Sequence, residues 1–205
     1  MFSTLLTRTL YGMRVPRKQR KLLLLIVFVL TLVIYIGQQR GWFDGIQQAA
    51  EVNQPGLYTV TKFDDGDTIQ VDMNGKTETL RFVGVDTPET HDPRKAVQCY
   101  GPEASAYTKK LIGNSRVRLA SDPDSTNRDR YDRLLRYVYL PDGTLVNENL
   151  IQNGYGFYYP YFPFTKSAQF DHDEQTAKAA NKGLWAHCKP TPTDGGGYTS
   201  NNRGT

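Results

Sequence analysis

Apolar and polar positions follow three different rhythms along this chain. Residues 22–37, LLLLIVFVLTLVIYIG, are apolar on every helical face and carry no charge. Such a run is close to the minimum for crossing a hydrocarbon core of roughly 30 Å, which takes about 17–25 residues. From Leu57 onward the period becomes two. LYTVTKF (57–63), TIQVDM (68–73), TETLRFVGV (77–85), RVRLA (116–120) and LLRYVYL (134–140) alternate and are rich in Thr, Val and aromatics, which predicts five strands. Asn74-Gly75 predicts a two-residue hairpin between the second and third, and Pro141-Asp142-Gly143 a turn after the last. Residues 101–112, 146–154 and 167–183 predict helices. Pro102 and Glu103 suit the first turn of the first, Gly154 the end of the second, and Ser167 and Gly183 the N-cap and stop of the third. Residues 189–205 have no apolar period and predict a disordered tail.

Five short strands with about three helices and no regular βαβ alternation make the fold class α+β. Closing a small sheet on itself removes its exposed edges, and the five-stranded OB barrel is one such solution. The chain then divides into a basic N-terminus (1–21), a membrane-spanning signal-anchor (22–37), a linker (38–56), a folded domain (57–188) and the tail (189–205).

Charge changes this picture in one respect. The whole chain carries +4, but residues 1–40 hold seven Lys/Arg and no Asp or Glu. The remaining 18 basic and 21 acidic residues leave −3, so the basic excess says nothing about what the domain binds. Six of the seven basic residues precede the apolar run, which by the positive-inside rule puts the N-terminus in the cytoplasm and the domain outside. A cleaved signal peptide, giving a secreted protein, is the rival, though no small-x-small site directly follows the run. In an exported protein Cys99 and Cys188 are expected to form a disulfide; two independent thiols are the alternative.

Three clusters carry candidate chemistry: DDGDT (64–68), RFVGVDTPE (81–89) and NRDRYDR (127–133). Phosphodiester hydrolysis needs a hard cation on oxygen ligands, guanidinium groups for the phosphoryl oxygens, and a carboxylate for the attacking water. These clusters contain all three. Three histidines and no Cys-x-x-Cys argue against zinc. In an extended strand Arg81 and Asp86 would have Cα atoms up to roughly 16 Å apart. That excludes a direct pair and lets the two approach a phosphate from opposite sides, given a bend near Gly84. Thr87-Pro88 is expected to turn Glu89 back beside Asp86.

DGDT (65–68), LRFVGVDTPET (80–90), YGPEASAYTKKL (100–111), DRYDRLLRYVY (129–139), VNENLIQNG (146–154) and GLW (183–185) together resemble the staphylococcal nuclease (thermonuclease) family, in order and at similar spacing. The resemblance spans about Tyr58 to Trp185. It implies an OB-fold barrel and Ca²⁺-dependent hydrolysis of DNA and RNA to 3′-phosphate ends. By position, Asp67 and Asp86 would be the carboxylate ligands of Ca²⁺, with the backbone carbonyl of Thr87 as a third, and Asp65 would stand behind them. Glu89 would position the attacking water, and Arg81 and Arg133 would clamp the phosphate. Arg130, which replaces a family lysine, is an expected substrate contact with Tyr131, Tyr159 and Tyr161. Where the family usually has Gly, this chain has Asp132.

The expected molecule is a monomeric, membrane-tethered nuclease with DNA and RNA as its partners and no protein partner implied. The alternative is a catalytically weak module on the same barrel that captures nucleic acid or protein. Such a module is expected to lose acids or arginines, and this chain keeps them; Asp132 is the one feature on its side.

Overall fold

In the strand segments the residues at every second position face inward, and the sheet they form closes. A computed structural model of the chain describes residues 26, 27, 29–32, 35, 56–90 and 96–204. The chain divides into two units, residues 1–50 and 51–205. In the second, β1 (Leu57–Phe63), β2 (Thr68–Met73), β3 (Lys76–Phe82), β5 (Val117–Ala120) and β6 (Leu134–Tyr139) form a closed barrel in the order β1-β2-β3-β6-β5. All neighbours are antiparallel except β3 and β6, which run parallel with Arg81 opposite Leu135. Two short strands, β4 (Val85–Asp86) and β7 (Phe157–Tyr158), pair beside the barrel.

In β3 the residues Glu78, Leu80 and Phe82 are buried while their neighbours are not. Ile69, Val71, Leu80, Phe82, Val117 and Val138 fill the interior, each contributing about 1.5–3 kcal/mol by leaving water. The helices α1 (Gly101–Ile112), α2 (Val146–Gln152) and α3 (Ser167–Ala179) close the ends, with a short α4 at Leu184–His187. Ile112, Leu150, Ile151 and Phe170 bring their apolar faces into the same core. Asn147, fully buried, stitches the layers together: its Oδ1 accepts from Val138 N–H, and its Nδ2 donates to the carbonyls of Val83 and Arg136.

Several expectations are corrected. Among the described residues no helix is long and apolar enough to cross a membrane. The described helical positions of the apolar run are 26, 27, 29–32 and 35; its other positions, residues 1–21 and most of the linker lie outside the described residues. The spanning helix, and the membrane location drawn from it, are withdrawn. The tail is ordered: Thr191–Pro192 (β8) pairs with Tyr198–Thr199 (β9), Gln98 bridges Asn202, and Ser200 is buried. Beyond the β8–β9 hairpin, its order comes from contacts with residues about 100 positions away, which no local pattern reveals. Helix α3 has Lys166, not Ser167, at its N-cap, with no side-chain cap; the Ser167 hydroxyl bonds that of Tyr158 instead. Cys99 and Cys188 are joined in a disulfide. It closes a loop of 89 residues, worth on the order of 4–5 kcal/mol if it acts by restricting the unfolded chain.

Candidate active site

The barrel presents its chemistry where β2 begins and β3 ends, because Thr68 and Arg81 are register partners. The loop before β2 is tight: Asp64 and Asp65 both donate their N–H to the carbonyl of Thr68. Gly66 is required there, since a Cβ would fall 2.8 Å from the Thr87 hydroxyl oxygen. Beyond β3 the chain reverses at Gly84, whose φ of +73° and close contact with Phe164 and Phe170 leave no room for a side chain. This reversal overturns the expectation that Arg81 and Asp86 stay apart. Arg81 Nη2 lies 2.6 Å from Asp86 Oδ1, and Nη1 donates to the carbonyl of Val85 at 2.9 Å.

Arg81 Nη1 also lies 2.6 Å from Asp67 Oδ2, so one buried guanidinium bridges two carboxylates. Burial works against its charge, but Asp67 and Asp86 outweigh that and raise its pKa above the ordinary arginine value. The Asp67 carboxylate also accepts the Thr87 N–H at 2.7 Å and hydroxyl at 3.0 Å, and the Thr68 hydroxyl at 2.9 Å. Asp65 accepts from Gly66 N–H and the Thr90 hydroxyl. Burial, with the Asp67 charge next, pushes the Asp65 carboxyl up to about 7, and a hydrogen bond with Glu89 adds to the rise. Glu89 thus comes to Asp65, and its carboxylate also accepts the Thr90 N–H at 3.0 Å.

The opposite wall is the loop between β5 and β6. Asp129 organises it, accepting from Tyr131 N–H and Arg133 N–H through Oδ1 and from Arg133 Nε through Oδ2. Arg133 Nη2 completes a two-pronged pair at 2.6 Å. Burial acts to raise the Asp129 pKa, but these donors prevail and hold it below the usual carboxylate range. The turn is closed by Asp132 in a left-handed conformation, φ +64°. Its exposed carboxylate lies 3.5 Å from Arg128 Nε. Tyr131 is sandwiched in reach of Arg130 and Arg133, at 4.8 and 5.3 Å from its ring centre.

Asp65, Asp67, Arg81, Asp86, Thr87, Glu89, Arg130, Tyr131, Arg133 and Tyr159 all line one hollow of about 1010 Å³. Tyr161 is not among the lining residues. Its hydroxyl bonds that of Thr193 in the tail, and Phe162 lines the hollow in its place. The reason is that the ordered tail offers Tyr161 a partner on the other side. Asp129 and Phe162, which line the hollow, and Gln98, which bonds the Glu89 main chain, lie outside the sequence-based expectations. The Asp129–Arg133 spacing of four within a charged run is the signal for the first.

The donor chemistry fits a hard divalent ion. Asp67 and Asp86 converge on one positive charge, here the Arg81 guanidinium, and Asp65, whose carboxyl is raised first by burial and then by the Asp67 charge, stands behind them. Among the described residues no group of three or more acidic, His or Cys side chains could hold a metal. An ion bound between these two carboxylates would therefore take its remaining ligands from a carbonyl such as that of Thr87, from water and from substrate oxygens.

Comparison with known proteins agrees with this architecture. A family model described as staphylococcal nuclease homologue matches residues 79–187. The chain is 44% identical over 138 residues to endonuclease YncB of Bacillus subtilis (strain 168), covering 65% of this chain and 64% of that protein. It is 42% identical over 130 residues to the SPbeta prophage-derived endonuclease YokF of the same organism, covering 62% of this chain and 43% of that one. With a thermonuclease of Staphylococcus hyicus it shares 36% identity over 171 residues, 81% of this chain and 96% of that protein. The chain therefore spans less than two thirds of the two Bacillus proteins and nearly all of the staphylococcal one.

Proposed function

The chain belongs to the staphylococcal nuclease family, and from that premise we propose that it is a Ca²⁺-dependent nuclease that hydrolyses phosphodiester bonds of DNA and RNA and leaves 3′-phosphate ends. The observation that carries the reading is the meeting of two arginines, Asp67, Asp86 and Glu89 in one hollow. Arg81 and Arg133 take the non-bridging oxygens of the scissile phosphate, because a guanidinium grips them in a forked geometry and never loses its charge. Their hold strengthens as negative charge gathers on those oxygens in the transition state. Asp67, Asp86 and the Thr87 carbonyl would hold the calcium ion, which supplies further positive charge at a phosphoryl oxygen.

Glu89 orients a water and accepts its proton as the water oxygen bonds to phosphorus. The bond from phosphorus to the 5′-oxygen breaks, and that oxygen takes up a proton from solvent water as it leaves. Burial, then the Asp86 charge, raises the Tyr159 hydroxyl above its usual pKa, so at neutral pH it is a donor available to a phosphate. Arg130 and Tyr131 on the facing loop, with Phe162 on the Tyr159 side, receive the flanking nucleotides.

The test is digestion of linear DNA by the full chain with Ca²⁺, with chelator, and with Ca²⁺ restored. Cleavage that disappears and returns is expected; its absence in all three arms overturns the reading.

A further inference from the structure

Glu89 is held at both of its main-chain polar groups by one residue, Gln98. The Gln98 N–H donates to the Glu89 carbonyl at 2.9 Å, and Gln98 Oε1 accepts the Glu89 N–H at 2.7 Å. The other end of the same side-chain amide faces the tail. Its Nε2 donates to the Thr199 hydroxyl at 3.0 Å and to the Ser200 carbonyl at 3.1 Å. Only one orientation of the amide satisfies all three contacts, since its oxygen must meet an N–H and its nitrogen a carbonyl.

The tail is itself tied down around this point. Cys99 N–H donates to the Asn201 carbonyl, the Ser200 hydroxyl donates to the Cys99 carbonyl, and Arg203 N–H donates to the Val97 carbonyl. The disulfide from Cys99, the residue after Gln98, anchors the same spot to the end of α4. Residues 98–99 and 199–203 thus form a brace, and what it grips is Glu89, a residue that lines the hollow.

We propose that Gln98 is a positioning residue for Glu89, and that the C-terminal tail is part of the active site's frame because it fixes the Gln98 amide. The proposal rests on Glu89 as the residue that orients the water. A carboxylate on a main chain anchored at both N–H and C=O spends more of its time in the geometry proton transfer needs. A glutamate at 98 could not serve, because its second oxygen would confront the Ser200 carbonyl.

The experiment uses the full chain, with DNA cleavage and amide hydrogen exchange as readouts. Gln98→Met is expected to lower kcat about 10–100-fold at unchanged KM and to deprotect the Glu89 amide. In a Glu89→Ala background it should cause no further loss. Thr199→Val, which removes one contact from the far side of the amide, should act in the same direction and less strongly, and thermal melts confirm folding of each variant. Full activity in Gln98→Met, or an equal loss with and without Glu89, overturns the proposal. Should the unmodified chain fail to cleave DNA, the nuclease reading falls, and the Glu89 amide alone decides. Lost protection in Gln98→Met then upholds the brace, and unchanged protection rejects it.

Discussion

Arg81 and Arg133 face the same hollow, but they are held by different kinds of structure. Arg81 stands at the end of a barrel strand, 13% exposed, between Asp67 and Asp86 and against the Val85 carbonyl. These partners come from the loop before β2 and from β4, segments that only the folded domain brings to the end of β3, so its position is a property of the tertiary structure. Arg133 is 29% exposed and is held by Asp129, four residues away in the same loop. Its position is a property of one turn. Two arginines on one hollow can thus be held in different ways, one rigid and charge-compensated by distant segments and the other fixed within a single turn. Removing the first is therefore expected to disturb the fold more than removing the second.

The largest effect expected is on turnover. Arg133→Ala should cut kcat by about 10²–10³-fold, the usual cost of losing one donor to developing charge, with a melting temperature close to that of the unaltered chain. Arg81→Ala should cost as much activity and also destabilise the domain by roughly 3 kcal/mol, since it leaves buried Asp67 without its cation. Calcium should restore part of that stability in denaturant titrations. Equal melting behaviour of the two variants would erase the contrast.

The barrel side should also carry a pH dependence opposite in sign to that of the loop, where the depressed Asp129 loses its contribution as pH falls. Glu174, buried in α3, accepts the Tyr158 N–H at 2.8 Å and so supports β7 where it pairs with β4, the strand of Asp86. Burial, chiefly, pushes its carboxyl from 4.5 up to about 7. Because the folded value lies above the unfolded one, its contribution is fully present below about pH 4.5 and is lost as pH rises through about 7. Glu174→Gln keeps the acceptor and cannot ionise. It should stabilise the chain by about 2–3 kcal/mol at pH 8 and leave it little changed at pH 4; identical curves at both pH values would refute this.

Smaller effects test the loop. Asp129→Asn turns an amide toward the Arg133 guanidinium and should lower kcat roughly tenfold, equivalent to about 1.4 kcal/mol, with little change in melting. Asp132→Gly relieves a left-handed aspartate and should stabilise by about 0.5–1 kcal/mol, with turnover within about twofold, because the Asp132 carboxylate lies toward Arg128. A steep rise in turnover would instead make Asp132 an inhibitor of its neighbour Arg133.

The residue pattern alone settles local structure. Strands 57–63 and 68–73, the Asn74-Gly75 hairpin and helix 101–112 stand as the residue pattern reads them, because alternation, turn chemistry and first-turn preferences act within a few residues. The clusters around Asp67, Arg81 and Arg133 were also visible, since their residue types are distinctive wherever they sit. How those clusters relate follows from the folded chain. The Arg81–Asp86 pair depends on a reversal at Gly84, Glu89 meets Asp65 across two loops, and Tyr161 leaves the hollow because the tail offers it Thr193. Gln98 gains its meaning from residues about 100 positions further on. Contacts of that span are set by barrel closure and a disulfide, and no short-range periodicity records them.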